Sequence, residues 1–197
     1  MKMAALSSLN LLALLLYAQG KGGNKGDPIV GKRRLDKLLF LAKMTLEDIG
    51  VEVEGEFIPY RQGAYLLQLE GVTETAQSLG LLNIEKDDEL IYCMPSEGIK
   101  KVERILLPKM DAEVLEKIEE IKKRYNSIPE DLLLAVTYLK YPDYTIRSEI
   151  KNQVFSSLLK YLEEFEELPE KLGITKEDVE KLSLEARKRT FKRLEIA

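Results

Sequence analysis

The sequence predicts an α+β fold, mostly α with one small β-hairpin. Three observations carry that expectation. Apolar residues recur at helical spacing through most of the chain, as in Leu35, Leu38, Leu39, Ala42, Leu46 and Ile49, followed by Gly50 where a helix-ending glycine belongs. Alternating, strand-like patterning is confined to two short segments, Glu52 to Tyr60 and Leu82 to Met94. From residue 107 onward only helical patterns occur, which divides the chain into 1–106, holding the hairpin, and a helical part, 107–197.

Lys2 followed by an apolar run through Ala18 has the layout of a short signal peptide, but the run is too short to span a bilayer. It is read as a core helix capped by Ser7 or Ser8, with Leu9, Leu12 and Leu16 on one face and Leu11, Leu14 and Leu15 on another. The glycine-rich stretch 20–27 (GKGGNKGD) lacks the order of a phosphate-binding loop and reads as a flexible basic linker. The helix through Leu35 is apolar on its far side as well, at Phe40, Leu41 and Met44, so it is expected to be covered on both sides. Its first turns, with Lys32, Arg33, Arg34 and Lys37, are the part expected to be exposed.

Glu52 to Tyr60 reads as a strand and Arg61 to Ala64 as a turn. A second helix follows, with Leu66, Leu67, Leu69, Val72, Ala76 and Leu79 inside, Gly71 as a weak point and Gly80 as its stop. Leu82 to Met94 forms the hairpin, around the acidic turn Glu85 to Glu89. Asp111 caps a helix to Tyr125. Ser127 with Glu130 forms a capping box opening a helix through Leu139, which Tyr141-Pro142 ends. Val154, Phe155, Leu158, Leu159, Leu162 and Phe165 mark a further helix. Gly173 ends the next segment, and Thr175 with Asp178 opens the last helix. Tyr138, Tyr141 and Tyr144 cluster where the two parts would meet.

Composition narrows the chemistry. The 197 residues contain no His and one Cys, Cys93. That excludes His-dependent nucleophilic catalysis, His-liganded zinc, cysteine metal clusters and an intrachain disulfide. Cys93, between Tyr92 and Met94, reads as a small buried hydrophobe. No catalytic residue, cofactor or metal site is expected. Lys and Glu are abundant and Trp is absent, a composition in the manner of thermophile proteins. The expected location is the cytoplasm, without membrane association; a homodimer is compatible with the sequence.

Net charge is −4, so any nucleic-acid surface must come from local asymmetry. Residues 21–43 hold seven cations against Asp27 and Asp36, and the C-terminal run carries Arg187, Lys188, Arg189, Lys192 and Arg193. The candidate phosphate contacts are Lys21, Lys25, Lys32, Arg33, Arg34, Lys37, Arg61 and Gln62. The second helix, by contrast, offers Gln68, Glu70, Thr73, Glu74, Thr75 and Gln77 outward, and the hairpin turn is acidic. Neither suits DNA. Glu52, Glu54 and Glu56, on one face of the expected strand, with Lys37 nearby, would be the site of a metal-dependent nuclease under an alternative reading.

GKRRLDKLLFLAK, then FIPYRQGAY, then LGLL, resembles the Panacea (SocA-like) antitoxin domains and the related YwgA-type proteins. The matching residues are Gly31, Arg34, Leu35, Lys37, Leu38, Leu39, Phe40, Phe57, Tyr60, Gly63, Tyr65, Gly80 and Leu81. The likeness covers roughly the first half of the chain. It departs at Gln62, where the family often has an aromatic, and at Gly63 to Leu66, where the family has Gly-Pro-Tyr-Ser. The resemblance implies a winged-helix-like domain over 1–106, with the hairpin as its wing. It also implies a non-enzymatic regulatory or antitoxin-like role, through a protein partner such as a toxin, through DNA, or both. A structural or viral accessory role is the remaining alternative.

Overall fold

The structure, a computed structural model, describes residues 5–164, 167–174 and 178. It is an α+β arrangement of helices around two small antiparallel sheets. The expected final helix from Thr175 and the basic C-terminal run lie outside the described residues, apart from Asp178.

Helix α1 (Ser8–Tyr17) is apolar all round because it is surrounded: Leu11 to Leu16 are all buried, and α1 packs against α2, α3 and α5. Ser7 caps it, its hydroxyl accepting from the Asn10 N–H at 3.2 Å. The glycine-rich loop that follows is folded back on the helix, contrary to the linker expectation. The Gly26 N–H donates to the Tyr17 carbonyl at 2.9 Å, and Gln19 and Lys25 form a bridge.

Strand β1 (Ile29–Val30) leads into α2 (Lys32–Asp48), the central helix. Packing on α2 are α1, α5, α6 and the hairpin of β2 (Phe57–Tyr60) with β3 (Gly63–Leu66). The strand expected from Glu52 is therefore shorter than its pattern suggested. Gly55 has φ 106° and interrupts it; upstream, Val53 bridges Leu6 instead, with the Leu6 N–H on the Glu52 carbonyl. The turn expected at Arg61 to Ala64 shrinks to Arg61-Gln62, because Tyr60 pairs with Gly63 and Phe57 with Leu66. Helix α3 (Leu69–Ser78) consequently starts three residues later than predicted. Leu66 belongs to β3, Leu67 and Leu79 are exposed, and Thr73 is buried.

After α3 and Gly80 (φ 65°), β4 (Asn83–Lys86) and β5 (Leu90–Cys93) form the predicted hairpin. β1 adds to β5, giving the order β1-β5-β4 with Ile29 and Ile84 both opposite Tyr92. Helix α4 (Ser96–Lys101) runs on through a π turn and a 3₁₀ turn to Lys109. The boundary expected at 106/107 falls inside this helical run, and buried side chains from both sides of it form one cluster. Helices α5 (Ala112–Tyr125), α6 (Glu130–Lys140), α7 (Lys151–Glu164) and α8 (Leu168–Leu172) follow, the last ended by Gly173 at φ 64° as expected.

Of two predicted caps, one holds its position and one does not form. Asp111 holds the N-cap position of α5 without a side-chain capping bond. The Ser127–Glu130 capping box does not form, because Pro129 takes the N-cap position and the Glu130 carboxylate turns to Arg33. The tyrosine cluster does pack where the helices meet the hairpin. Tyr141 and Tyr144 set their ring edges on Phe40 at 5.1 and 4.7 Å, and Phe57 reaches the same ring at 5.2 Å.

Candidate functional site

The basic start of α2 was the strongest sequence-level candidate for a ligand surface. Its four cations are engaged within the fold, each by a different route. Lys37 is 2 % exposed and Asp36 3 %. The Lys37 ammonium pairs with the Asp36 carboxylate at 2.9 Å and donates to the Ala64 carbonyl. The other Asp36 oxygen accepts from the Leu66 N–H at 2.9 Å. In the β2–β3 register, Tyr60 opposes Gly63, so Ala64 and Leu66 turn their backbone groups away from β2. Asp36 and Lys37 thus pair the outer edge of β3 as a neighbouring strand would. The expectation that Lys37 is exposed is corrected: a helix covered on both sides buries the polar residues between its apolar stripes too.

Arg34 is a staple. Its Nη1 donates to the carbonyls of Tyr125, Asn126 and Ile128 at 3.3, 2.9 and 2.8 Å, and its Nε to the Val30 carbonyl at 3.2 Å. These are orphan carbonyls at the end of α5 and in the turn after it, where a cation also suits the helix dipole. Arg33 pairs with Glu130 at 2.5 Å, and Lys32 with Glu70 at 2.8 Å. The Lys32 hydrogen bond holds the Glu70 carboxyl below its ordinary range and raises the lysine.

The remaining candidates are scattered. Lys25 is paired with Glu103 at 2.9 Å and lies 5.2 Å over the Tyr17 ring. Its pKa is raised by Tyr17 and then by Glu103. Lys21 is exposed in the loop. Arg61 and Gln62 are exposed at the β2–β3 turn, Arg61 lying 3.5 Å from Glu149. The structure therefore does not bring the eight candidates together on one free basic face. Of the residues matched to the family pattern, Leu35, Leu38 and Phe40 are core, and Gly31 (φ 95°) is the N-cap of α2. Tyr60 is exposed and stacks on Tyr65 at 5.5 Å.

The nuclease alternative loses its geometry. Glu52, Glu54 and Glu56 are exposed on a segment broken at Gly55, and their supposed partner Lys37 is buried. Among the described residues no group of three acidic or thiol side chains converges to hold a metal ion. Burial, with Glu85 adding, pushes the Cys93 thiol up, the opposite of an activated nucleophile.

What remains exposed around α3 and the hairpin turn is acidic. Glu70 and Glu74 are the charged residues of α3, and Glu85, Asp87, Asp88 and Glu89 outnumber Lys86 at the turn. The two elements flank the start of α2. A Cβ at Gly31 would lie 3.7 Å from a Glu89 carboxylate oxygen, and the adjacent Lys32 reaches Glu70.

One buried cation escaped the sequence reading. Lys122 is 0 % exposed, and its ammonium donates to the Leu16 carbonyl, in the last turn of α1, at 2.9 Å. Its spacing held the signal: residues 118, 122 and 125 share one helical stripe, and Ile118 and Tyr125 are core. Burial, opposed by Asp27, pulls its pKa from 10.5 to about 8. Between those values the unfolded chain binds more protons than the folded one, so stability rises with pH across the window by up to roughly 3 kcal/mol. Half-buried Tyr141, raised from 10.0 to about 12 by desolvation, acts oppositely at the upper end, where stability falls. Urea unfolding at about pH 7 and about pH 9.5 should show the rise in the native chain and its loss in Lys122→Met.

No protein-family model matches the chain, and no curated protein matches it. No helix among the described residues is long and apolar enough to cross a membrane.

Proposed function

We propose that this chain is a non-enzymatic, cytoplasmic regulatory module, antitoxin-like in the sense of the Panacea resemblance, and that it acts by holding a protein partner. One observation carries the reading: the cations at the start of α2 are engaged within the fold, while α3 and the hairpin turn present carboxylates. A phosphate backbone approaching α3 and the turn would meet like charge.

The winged-helix-like reading is supported by the order α1–β1–α2–α3–β4–β5 and by the sheet order β1-β5-β4, with β4–β5 as the wing. On that reading the β2–β3 hairpin is an insertion between α2 and α3. The motif residues Phe57 and Gly63 then serve to seat this insertion, Phe57 against Phe40 of α2 and Gly63 against the Tyr138 ring of α6. Winged-helix folds bind proteins as well as DNA, so the surface charge is what selects between them.

The test is binding of the full chain to mixed-sequence duplex DNA, titrated from about 50 to about 200 mM salt. We expect weak binding with a shallow salt slope, unchanged in Arg33→Gln. Tight binding with a steep slope, lost in Arg33→Gln, overturns the protein-partner reading.

A further inference from the structure

Helix α3 carries a feature that neither its backbone nor its packing requires. Gly71 sits in its first turn at a φ that is not positive, and a Cβ added there would meet nothing within 4 Å. Glycine is disfavoured in helices, so a position that is open and conformationally ordinary would be better filled by almost any other residue. A glycine on an exposed helix surface does one thing other residues cannot: it lets a second backbone approach closely. Gly71 lies on a stripe with Glu70, Glu74 and Ser78, all exposed, and two large apolar side chains mark the ends of the element, Leu67 at 46 % and Leu79 at 48 % exposure. At the start of α2 stands Glu89 of the wing turn, 3.7 Å from a Cβ added at Gly31, and Asp87 and Asp88 beside it in the chain are exposed. The Lys101 ammonium, on the Leu79 carbonyl at 2.8 Å, is the cation placed at the far end of α3.

We propose that α3 and the wing turn dock a cationic segment of the partner protein. Its main chain crosses α3 at Gly71, its apolar side chains cover Leu67 and Leu79, and its Lys or Arg residues reach Glu74 and the wing carboxylates. The occupant is chosen by charge complementarity: a surface with this balance repels acidic segments and speeds encounter with basic ones. The proposal rests on the protein-partner reading above and adds to it the face and the chemistry of the partner.

The experiment is selection of a phage-displayed library of random peptides, each about 16 residues long, against the full chain. Enriched peptides are then measured against Gly71→Leu and, separately, Glu74→Lys. Both positions are exposed, and thermal melts are the check that each variant folds; if Gly71→Leu does not, Glu74→Lys carries the test alone. The expected result is enrichment of peptides with net positive charge, with affinity falling by about tenfold or more in each variant. Peptides without positive charge, affinities unchanged in the variants, or no enrichment at all would overturn the docking proposal. Peptides that bind elsewhere would leave the protein-partner reading standing, whereas tight, salt-steep DNA binding removes both.

Discussion

Replacing Asp36 by Ala is expected to destabilise the protein by about 3–5 kcal/mol, because it leaves a buried ammonium without its counter-charge. Two effects combine in that loss. Lys37 keeps the Ala64 carbonyl but loses the carboxylate at 2.9 Å, and the Leu66 N–H loses its acceptor on the outer edge of β3. Charge and edge pairing can be separated. Asp36→Asn with Lys37→Gln removes both charges yet keeps an acceptor for Leu66 and a donor for Ala64. We expect this double variant to recover more than half of the loss in chemical denaturation. If it is as unstable as Asp36→Ala, the pair matters for its charge and not as a substitute strand.

Gly63→Ala is expected to be nearly as damaging, at about 2–4 kcal/mol, through two independent causes. Gly63 has φ 86°, a conformation side chains rarely adopt, and an added Cβ would stand 2.6 Å from Tyr138 Cε1. The ring cannot easily retreat. It is buried, its hydroxyl meets that of Ser148 at 2.7 Å, and Phe155 packs edge-on at 6.2 Å. Denaturation of Gly63→Ala in a Tyr138→Leu background should recover the part due to contact and leave the part due to backbone strain. A Gly63→Ala loss below about 0.5 kcal/mol would mean that the hairpin tip does not seat on α6 as described.

These two positions show why the fold was partly legible in the sequence. Apolar periodicity found α1, α2, α5 and α7, α6 was expected from a capping box that does not form and from the Tyr141-Pro142 stop, and Gly50, Gly80 and Gly173 marked helix ends where positive φ is now seen. The β4–β5 hairpin was legible because its alternating residues flank an unmistakable polar turn. The β2–β3 hairpin was not. Its second strand, GAYL, has no alternation, and its outer edge is paired by side chains from a distant helix. No local pattern records such pairing. Gly63 was singled out as part of a motif, but its reason, the Tyr138 ring, lies far along the chain.

The surroundings of the candidate site were illegible for a related reason. Charge is normally solvated, so Arg33, Arg34 and Lys37 read from sequence as ligand-facing. Their partners, Glu130, the end of α5 and the β3 edge, are long-range and invisible to composition. The acidic character of α3 and of the β4–β5 turn, by contrast, was plain from the sequence and holds in the structure.

On the function proposed above, this chain works through a protein and not through nucleic acid. The most direct measurement is affinity capture of the full chain from its native extract, performed with and without nuclease. The expected result is a protein retained in near-stoichiometric amount after nuclease treatment. Captured material that is entirely released by nuclease would contradict it.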